Sequence, residues 1–274
     1  MKLLSRIAVC ACLAFVLLIA RGYWNATRDP VIRTASIRIA DWPKGIAPIN
    51  VQLLSDVHVA GPDMPPTRAN AIVEKLNRLK PDLILVAGDL VSEKRLATHI
   101  YAAPEVIASL RGLRAPLGVV IAMGNHDHWF DEKGFREGIP KAGFTLLINQ
   151  AIKRGPIVIG GVDDDFSGHA DIASTYAAMG RLKGPRIILT HSPDIIPALP
   201  YPVAAVFAGH THCGQIVLPW GEPVSSVTRY GRRFDCGLKS DKGQLVIIGA
   251  GLGTSVLPLR YNAPPDVWLV TLGS

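Results

Sequence analysis

Five short polar clusters in the sequence carry the residue types that hold divalent cations. They are Asp56-Val57-His58, Gly88-Asp89, Gly124-Asn125-His126-Asp127, His191, and Gly209-His210-Thr211-His212. Carboxylates and imidazoles together, with no thiolate among them, suit zinc, iron or manganese. Asp56, His58, Asp89, Asn125, His191, His210 and His212 are the candidate ligands. They are too many for one tetrahedral centre and suit two cations that share a carboxylate. Two cations ~3.5–4 Å apart clamp the attacking and leaving oxygens of a phosphoryl transfer. The Asp-x-His and His-x-His spacings put both side chains of a pair on the same side of an extended segment. A lone histidine after a strand is more often a hydrogen-bonding residue, and a lone Gly-Asp is usually a turn. It is the joint occurrence of the clusters that argues for a dimetal site.

The elements that position them are legible from the apolar runs. The clusters follow INVQLLS, LILVA, VVIAM, RIILT and AAVFA. Open α/β sheets place their ligands at the carboxyl ends of strands. Strands are expected at 49–54, 83–87 and 119–123. The spacing of Ile72, Leu76 and Leu79 predicts a helix over 67–80, capped by Thr67 and stopped by Pro81. A second helix is expected over 103–111. This alternation is the mark of a mostly parallel sheet. Further strands are expected at 144–148, 157–160, 187–190, 203–208, 214–218, 245–248 and 267–271, with one helix over 171–182. The last strands have little helix between them, which favours a second, mixed sheet packed on the first.

The start of the chain is different in kind. Residues 7–20 are apolar throughout, with Lys2 and Arg6 before them and Arg21 after. A 14-residue helix spans ~21 Å, short of the ~30 Å of bilayer hydrocarbon. Leu3, Leu4 and a snorkelling Arg6 lengthen it, and Tyr23 and Trp24 suit the interface. Residues 1–24 therefore read as a signal anchor or a cleaved signal peptide, 25–30 as a linker, and 31–274 as one domain. Basic residues before the run keep the short N-terminus cytoplasmic, which places the domain outside the cytoplasm.

Composition excludes several classes. Of the 274 residues, 49% are hydrophobic and 19% charged, so the chain is not a disordered one. One apolar run excludes a multi-span transporter. The net charge is +7, but four basic residues and one acidic residue lie in the first 30, so 31–274 carry only +4. No dense basic stripe appears, and no nucleic-acid partner is expected. Arg229, Arg232, Arg233 and Lys239 form the one local cluster, suited to an anionic membrane surface or substrate, or to a solvated loop.

Taken together, the clusters, with Gly88-Asp89-Leu90-Val91 and Gly209-His210-Thr211-His212 among them, resemble the calcineurin-like metallophosphoesterase superfamily. Residues 209–216 and 251–260 resemble a bacterial, membrane-associated branch of it, with Cys213 where that branch often has glycine. The resemblance implies a four-layered α/β/β/α sandwich, in agreement with the two sheets read from the pattern. It implies one metal on Asp56, His58, Asp89 and His212, and another on Asp89, Asn125, His191 and His210. The ions would be Mn, Fe or Zn. His126 would face the leaving group and Asp127 would help to set its protonation. The expected activity is hydrolysis of a phosphate mono- or diester by a metal-bridged hydroxide. The anchor favours a phospholipid or lipid-linked nucleotide. A nuclease of the same superfamily is the second reading, and a binding module that has lost catalysis is the third. The mild charge argues against the former and the full ligand set against the latter.

Other features point less sharply. Asp163, Asp164 and Asp165 suit a crevice mouth or a solvated loop. His99, His128 and His169 lie off the motifs and suit surface or loop roles. Arg260 suits a substrate phosphate or a structural ion pair. Trp220, Tyr230 and Tyr261 suit an apolar rim for a lipid chain, or core packing. Cys213 and Cys236 are available to each other in an oxidising compartment.

Overall fold

A computed structural model of the chain describes residues 2–274. Helix α1 (Lys2–Thr27) leads into β1 (Val31–Arg38) and β2 (Ile49–Ser55), then α2 (Pro66–Asn77), β3 (Leu83–Ala87), α3 (Ala103–Leu110) and β4 (Val119–Ala122). Helix α4 (Asn125–Lys141) precedes β5 (Thr145–Leu146), β6 (Gln150–Arg154) and β7 (Ile157–Gly161). Helix α5 (Ile172–Gly180), β8 (Arg186–Leu189) and β9 (Ala205–Ala208) follow, and then β10 (Gly237–Asp241), β11 (Gln244–Ile248) and β12 (Asp266–Gly273).

The strands form two six-stranded mixed sheets, ordered β1-β12-β2-β3-β4-β5 and β10-β11-β9-β8-β7-β6. Period-2 alternation divides each strand between two environments. Leu83, Leu85 and Ala87 of β3 face the seam between the sheets, with Val51 and Leu53 of β2, Ile157 and Ile159 of β7, Ile187 and Leu189 of β8, and Phe207 of β9. Ile84 and Val86 face the other way, onto Ile72, Val73 and Leu76 of α2, Val106 and Ile107 of α3, and Phe135 and Ile139 of α4. On the outer face of the second sheet, Val158, Ile188 and Val206 pack on Tyr176 and Met179 of α5. The order of layers is thus α/β/β/α. Strands β3, β4, β8 and β9 are apolar on both faces because both faces are covered.

Several boundaries differ from the sequence reading for identifiable reasons. Helix α1 runs through Thr27, three residues into the expected linker. Gly22 and Ala26 are buried, and Thr27 Oγ1 donates to Tyr23 O. Helix α2 starts at Pro66, not Thr67. Pro65 occupies the cap position without a side-chain bond, and proline at the first helical position has no amide to satisfy. Helix α4 has no counterpart in the pattern. Gly134, Gly138 and Pro140 disguise it, Asp131 breaks its geometry at φ −159°, and only Phe135 and Ile139 mark its buried face. Strands β1, β6 and β10 are hidden by polar alternation, as edge or near-edge strands often are. Residues 214–218 are not a strand. They make isolated bridges from Ile216 to Tyr261 and from Val217 to Pro223.

Leu85 is fully buried in the seam. Leu85→Ala should lower stability by ~2–5 kcal/mol. Urea unfolding of the detergent-solubilised chain should show a lower midpoint at unchanged slope.

Candidate metal centre

All seven candidate ligands lie just past the carboxyl ends of five strands that the two sheets bring together. Asp56 and His58 follow β2, Asp89 follows β3, Asn125 opens α4 after β4, His191 follows β8, and His210 and His212 follow β9. Asp56, His58, Asp89, His210 and His212 have φ between 47° and 69°, the left-handed region. This region costs a residue with a Cβ ~1–2 kcal/mol. The surrounding bonds hold them there. Asp56 N–H donates to Gly88 O and His58 N–H to Asp89 O, both at 3.0 Å. The amide of His210 donates to Asp56 Oδ1 at 3.0 Å, and that of His126 to Asp89 Oδ1 at 2.9 Å. Two glycines admit the close approach. A Cβ on Gly124 would overlap Asp89, and one on Gly209 would overlap Asp56.

The donor atoms form one continuous chain. His212 Nε2 lies 3.5 Å from Asp56 Oδ1 and 3.0 Å from His58 Nε2. Asp89 Oδ2 lies 3.4 Å from His58 Nε2 on one side and 3.2 Å from His191 Nε2 on the other. His191 Nε2 is in turn 3.2 Å from Asn125 Oδ1 and 3.1 Å from His210 Nδ1. The far nitrogens are tied to backbone carbonyls. His58 Nδ1 contacts Val91 O at 3.1 Å and His191 Nδ1 contacts Ala87 O at 2.7 Å. An imidazole that donates from one nitrogen offers a lone pair at the other. Metal bonds of ~2.0–2.2 Å set neighbouring ligand atoms ~3.0–3.5 Å apart, the spacing found here. The donor set therefore fits divalent cations.

Electrostatics agree for three of the four imidazoles. Burial opposes charge on the fourth, His191, but Asp89 and Asp56 raise its pKa well above the ordinary histidine value. Burial raises the Asp56 carboxyl to about 6, against the pull of His191. Burial also lowers His210 to about 3 and holds His58 and His212 well below the ordinary histidine value. Neutral imidazoles are the ligating form. Burial opposes charge on Asp89 as well, yet His191, His126 and His58 around it hold it well below the usual carboxylate range. Asp89 is the most charge-demanding point of the cluster.

His126 lines the mouth of a crevice of about 570 Å³ that opens over Asp89, Asn125, His210 and His212. Its Nδ1 meets Glu93 Oε2 at 3.0 Å. Glu93 is thus the carboxylate in contact with that ring, while Asp127, to which the resemblance gives a part in its protonation, does not touch it. Asp127 instead accepts from Leu90 N–H at 2.8 Å and Gly124 N–H at 3.0 Å, pinning two strand ends together. Burial pushes its carboxyl up to about 7. Glu93 has no motif of its own, and only its place four residues after Asp89 signals it.

Arg260 is fully buried and meets no substrate surface. It donates to the carbonyls of Ala250, Gly251, Gly253 and Ala263 at 2.6–3.2 Å and lies 3.3 Å from His212 Nδ1. Arg229, Arg232, Arg233 and Lys239 pair with Asp165 and Asp194, Glu222, Asp241 and Asp235, so the basic cluster is internally neutralised. Trp220 is exposed and, like Tyr230, lies off the crevice, while Tyr261 packs on Gly22 of α1. The crevice walls are instead Trp129, Phe166, Ile216, Val224, Val256 and Leu257. Asp163 meets His128, Asp164 accepts from Ser167, and Asp165 pairs with Arg229, so this run does not line the crevice. His99 packs on Tyr101. Cys213 and Cys236 are joined by a disulfide next to His212.

The sequence profile described as calcineurin-like phosphoesterase matches residues 49–214. The chain belongs to this family. Membership makes it a metal-dependent hydrolase of phosphate esters. An uncharacterized metallophosphoesterase of Bacillus subtilis, YkuE, is 31% identical over 92% of this chain and 90% of its own length. A zebrafish (Danio rerio) transmembrane protein with a metallophosphoesterase domain is 26% identical over 97% of this chain, which spans 63% of it. Among solved structures, a 5'-nucleotidase precursor of Thermus thermophilus superposes with a TM-score of 0.46 at 13% identity, over 82% of this chain and 55% of that one.

The family fold here leans on Arg260. Arg260→Lys should destabilise nearly as much as Arg260→Met, because lysine lacks the planar fork. Each deprived carbonyl costs ~1–3 kcal/mol. Thermal unfolding with and without added Mn should show lowered midpoints for both variants.

Proposed function

We propose that this chain is a membrane-anchored phosphoesterase that binds two divalent cations and cleaves a phosphate mono- or diester bearing an apolar group. The observation that carries the two-cation reading is Asp89 Oδ2, which stands 3.4 Å from His58 Nε2 and 3.2 Å from His191 Nε2. One oxygen so placed suits a bridge. Asp56, His58, Asp89 and His212 would hold the first cation, and Asp89, Asn125, His191 and His210 the second. Bound there, Mn, Fe or Zn supplies Lewis acidity to phosphoryl oxygens and lowers the pKa of water toward ~7.

The chain's own residues do the rest. Glu93 holds His126 by Nδ1, which leaves Nε2 to carry a proton toward the departing oxygen. Two effects compete for the charge on His126: burial disfavours it, and Asp89 and Glu93 favour it. The latter prevail and its pKa is raised. Imidazolium at the crevice is the form a general acid needs. Trp129, Phe166, Val224, Val256 and Leu257 line the crevice above it with apolar surface.

The apolar walls and the position of α1 support a substrate drawn from a bilayer. Helix α1 is long and apolar enough to cross a membrane. At its end, Gly22 O accepts from Arg260 N–H at 3.0 Å, and Leu18 O accepts from the Tyr261 hydroxyl. The segment it touches continues directly from Ser255, Val256 and Leu257 of the crevice wall. A lipid-derived phosphate ester such as a phospholipid or lipid-linked nucleotide fits this setting. The Cys213–Cys236 disulfide and the basic residues Lys2 and Arg6 support a catalytic domain outside the cytoplasm.

Metal content measured beside turnover tests the assignments. His126→Ala should keep both ions and lose ~10²–10⁴-fold in turnover. Asp89→Asn should lose ions from both sites. Two ions retained in Asp89→Asn overturns the bridge, and ion loss in His126→Ala makes His126 a ligand. For the substrate, mixed phospholipid–detergent micelles should be cleaved faster than a water-soluble chromogenic phosphodiester under Mn, Fe and Zn in turn. The reverse order overturns the apolar-substrate reading and leaves the enzyme reading standing.

A further inference from the structure

A second histidine-rich cluster lies beside the crevice but outside its centre. His128 follows His126 by two residues on α4, so the two rings point to roughly opposite sides of that helix, at ~100° per residue. The His128 side chain is 1% exposed. Its Nε2 meets Asp163 Oδ1 at 2.9 Å. Its Nδ1 is buried and has no hydrogen-bond partner among the described residues. The nearest oppositely charged group to Nδ1 is Glu132 Oε1, 3.8 Å away. The His169 ring stacks on His128 at 3.9 Å between centroids and 4° between planes. One donor atom from each of His128, Glu132 and His169 falls within 4.8 Å of the others.

Arg136 answers Glu132 Oε1 on its outer side at 2.6 Å, but no group answers Nδ1 of His128 among the described residues. In the neutral, ligating form, with its Nε2 proton donated to Asp163, His128 turns a bare lone pair at Nδ1 toward a carboxylate oxygen. Two acceptors then face each other in a buried place, and an unsatisfied buried polar atom costs ~1–3 kcal/mol. We propose that His128, Glu132 and His169 form a further site for a zinc-class divalent cation, separate from the crevice centre. The donor set is two imidazoles and a carboxylate, and Asp163 behind His128 completes the carboxylate–histidine–metal relay that orients ligating histidines. A tetrahedral ion with bonds of ~2.0–2.1 Å needs donors ~3.3 Å apart, so the site closes by about an ångström on binding. Glu132 and His169 are the movable partners, and the His169 ring must rotate out of its parallel stack on His128 to aim a nitrogen at the ion. Glu132 is partly exposed and pairs with Arg136 NH1 through Oε1 at 2.6 Å, which leaves its second oxygen for the ion. His169 is exposed on a loop, with its Nδ1 on Ser167 Oγ at 2.9 Å.

The ion would join two parts of the crevice wall. Helix α4 carries Trp129, and the 163–169 loop carries Phe166, with the two rings 6.0 Å apart. A cation on His128, Glu132 and His169 ties that loop to that helix, and so fixes the gap between the two aromatic walls.

The test is ion counting on the full chain in detergent, dialysed against micromolar Zn²⁺ and then against buffer. His169→Gln and Glu132→Gln should each hold one zinc fewer per chain than wild type. Co²⁺ loading should give a tetrahedral d–d absorption component that is present in wild type and missing from both variants. Neither residue lies in the crevice, so any failure of the two-cation reading changes all three counts alike and leaves the difference readable. Circular dichroism and a urea midpoint identify a variant that has not folded, and the other variant then decides. Equal zinc counts in wild type and the folded variants, or an unchanged Co²⁺ spectrum, overturn the proposal.

Discussion

The centre depends on how closely two sheets approach at one end. Strands β3 and β9 end in Ala-Gly, at Ala87-Gly88 and Ala208-Gly209, and β4 ends at Ala122 with Gly124 two residues on. A Cβ on Gly209 would sit 2.5 Å from Ser55 Cβ, and one on Gly249 would sit 2.7 Å from Ser55 Oγ, each across from one sheet to the other. Along the seam, leucine, isoleucine and phenylalanine hold the sheets apart at ordinary packing distance. At the ligand end, the side chains shrink to alanine and then to nothing. The loops of both sheets can then bring carboxylate and imidazole atoms to about 3 Å of one another. Large residues at those ends would keep the same ligands on two separate surfaces.

This explains why the centre is legible before the fold. Asp, His and Asn standing after apolar runs are conspicuous by type, and the strands before them are continuous hydrophobic stretches. Lone pairs and charges cannot be read in the same way when the partner comes from elsewhere in the chain. Glu93 reaches His126 across a turn, Arg260 reaches four carbonyls from the far side of the last loop, and neither has a periodicity to mark it. Helix α4 escapes the pattern because its buried face needs only Phe135 and Ile139, and its glycines and proline imitate a loop. Edge strand β10, with its Gly-Leu-Lys-Ser-Asp sequence, offers no apolar run at all. Residues 214–218 look like a strand because Ile216, Val217 and Leu218 are apolar. Ile216 in fact faces the crevice.

Buried charge is arranged in layers around the centre. Innermost are the carboxylates and imidazoles of the centre. Behind them stand groups already satisfied from within: Asp127 on backbone amides, and Lys94 on Asp63 and Thr254 at 2.7 and 3.0 Å. Arg260 on its carbonyls belongs to the same layer. These inner partners are fixed donors and acceptors that do not compete for metal. The surface arginines of the 229–233 loop sit farthest out, each held by an acid, and surface pairs of that kind contribute little to stability.

Strand β12 lies between β1 and β2, parallel to the former and antiparallel to the latter. The strand directly after α1 thus has no partner in the first sheet until the segment 266–273 is present. A chain made amino end first must keep β1 unpaired in that sheet for nearly the whole time of its synthesis. The polar alternation of Arg33, Thr34, Ser36 and Arg38 then serves a purpose that the finished sheet conceals. It keeps the waiting edge soluble, and it protects a nascent domain from pairing with other copies of itself.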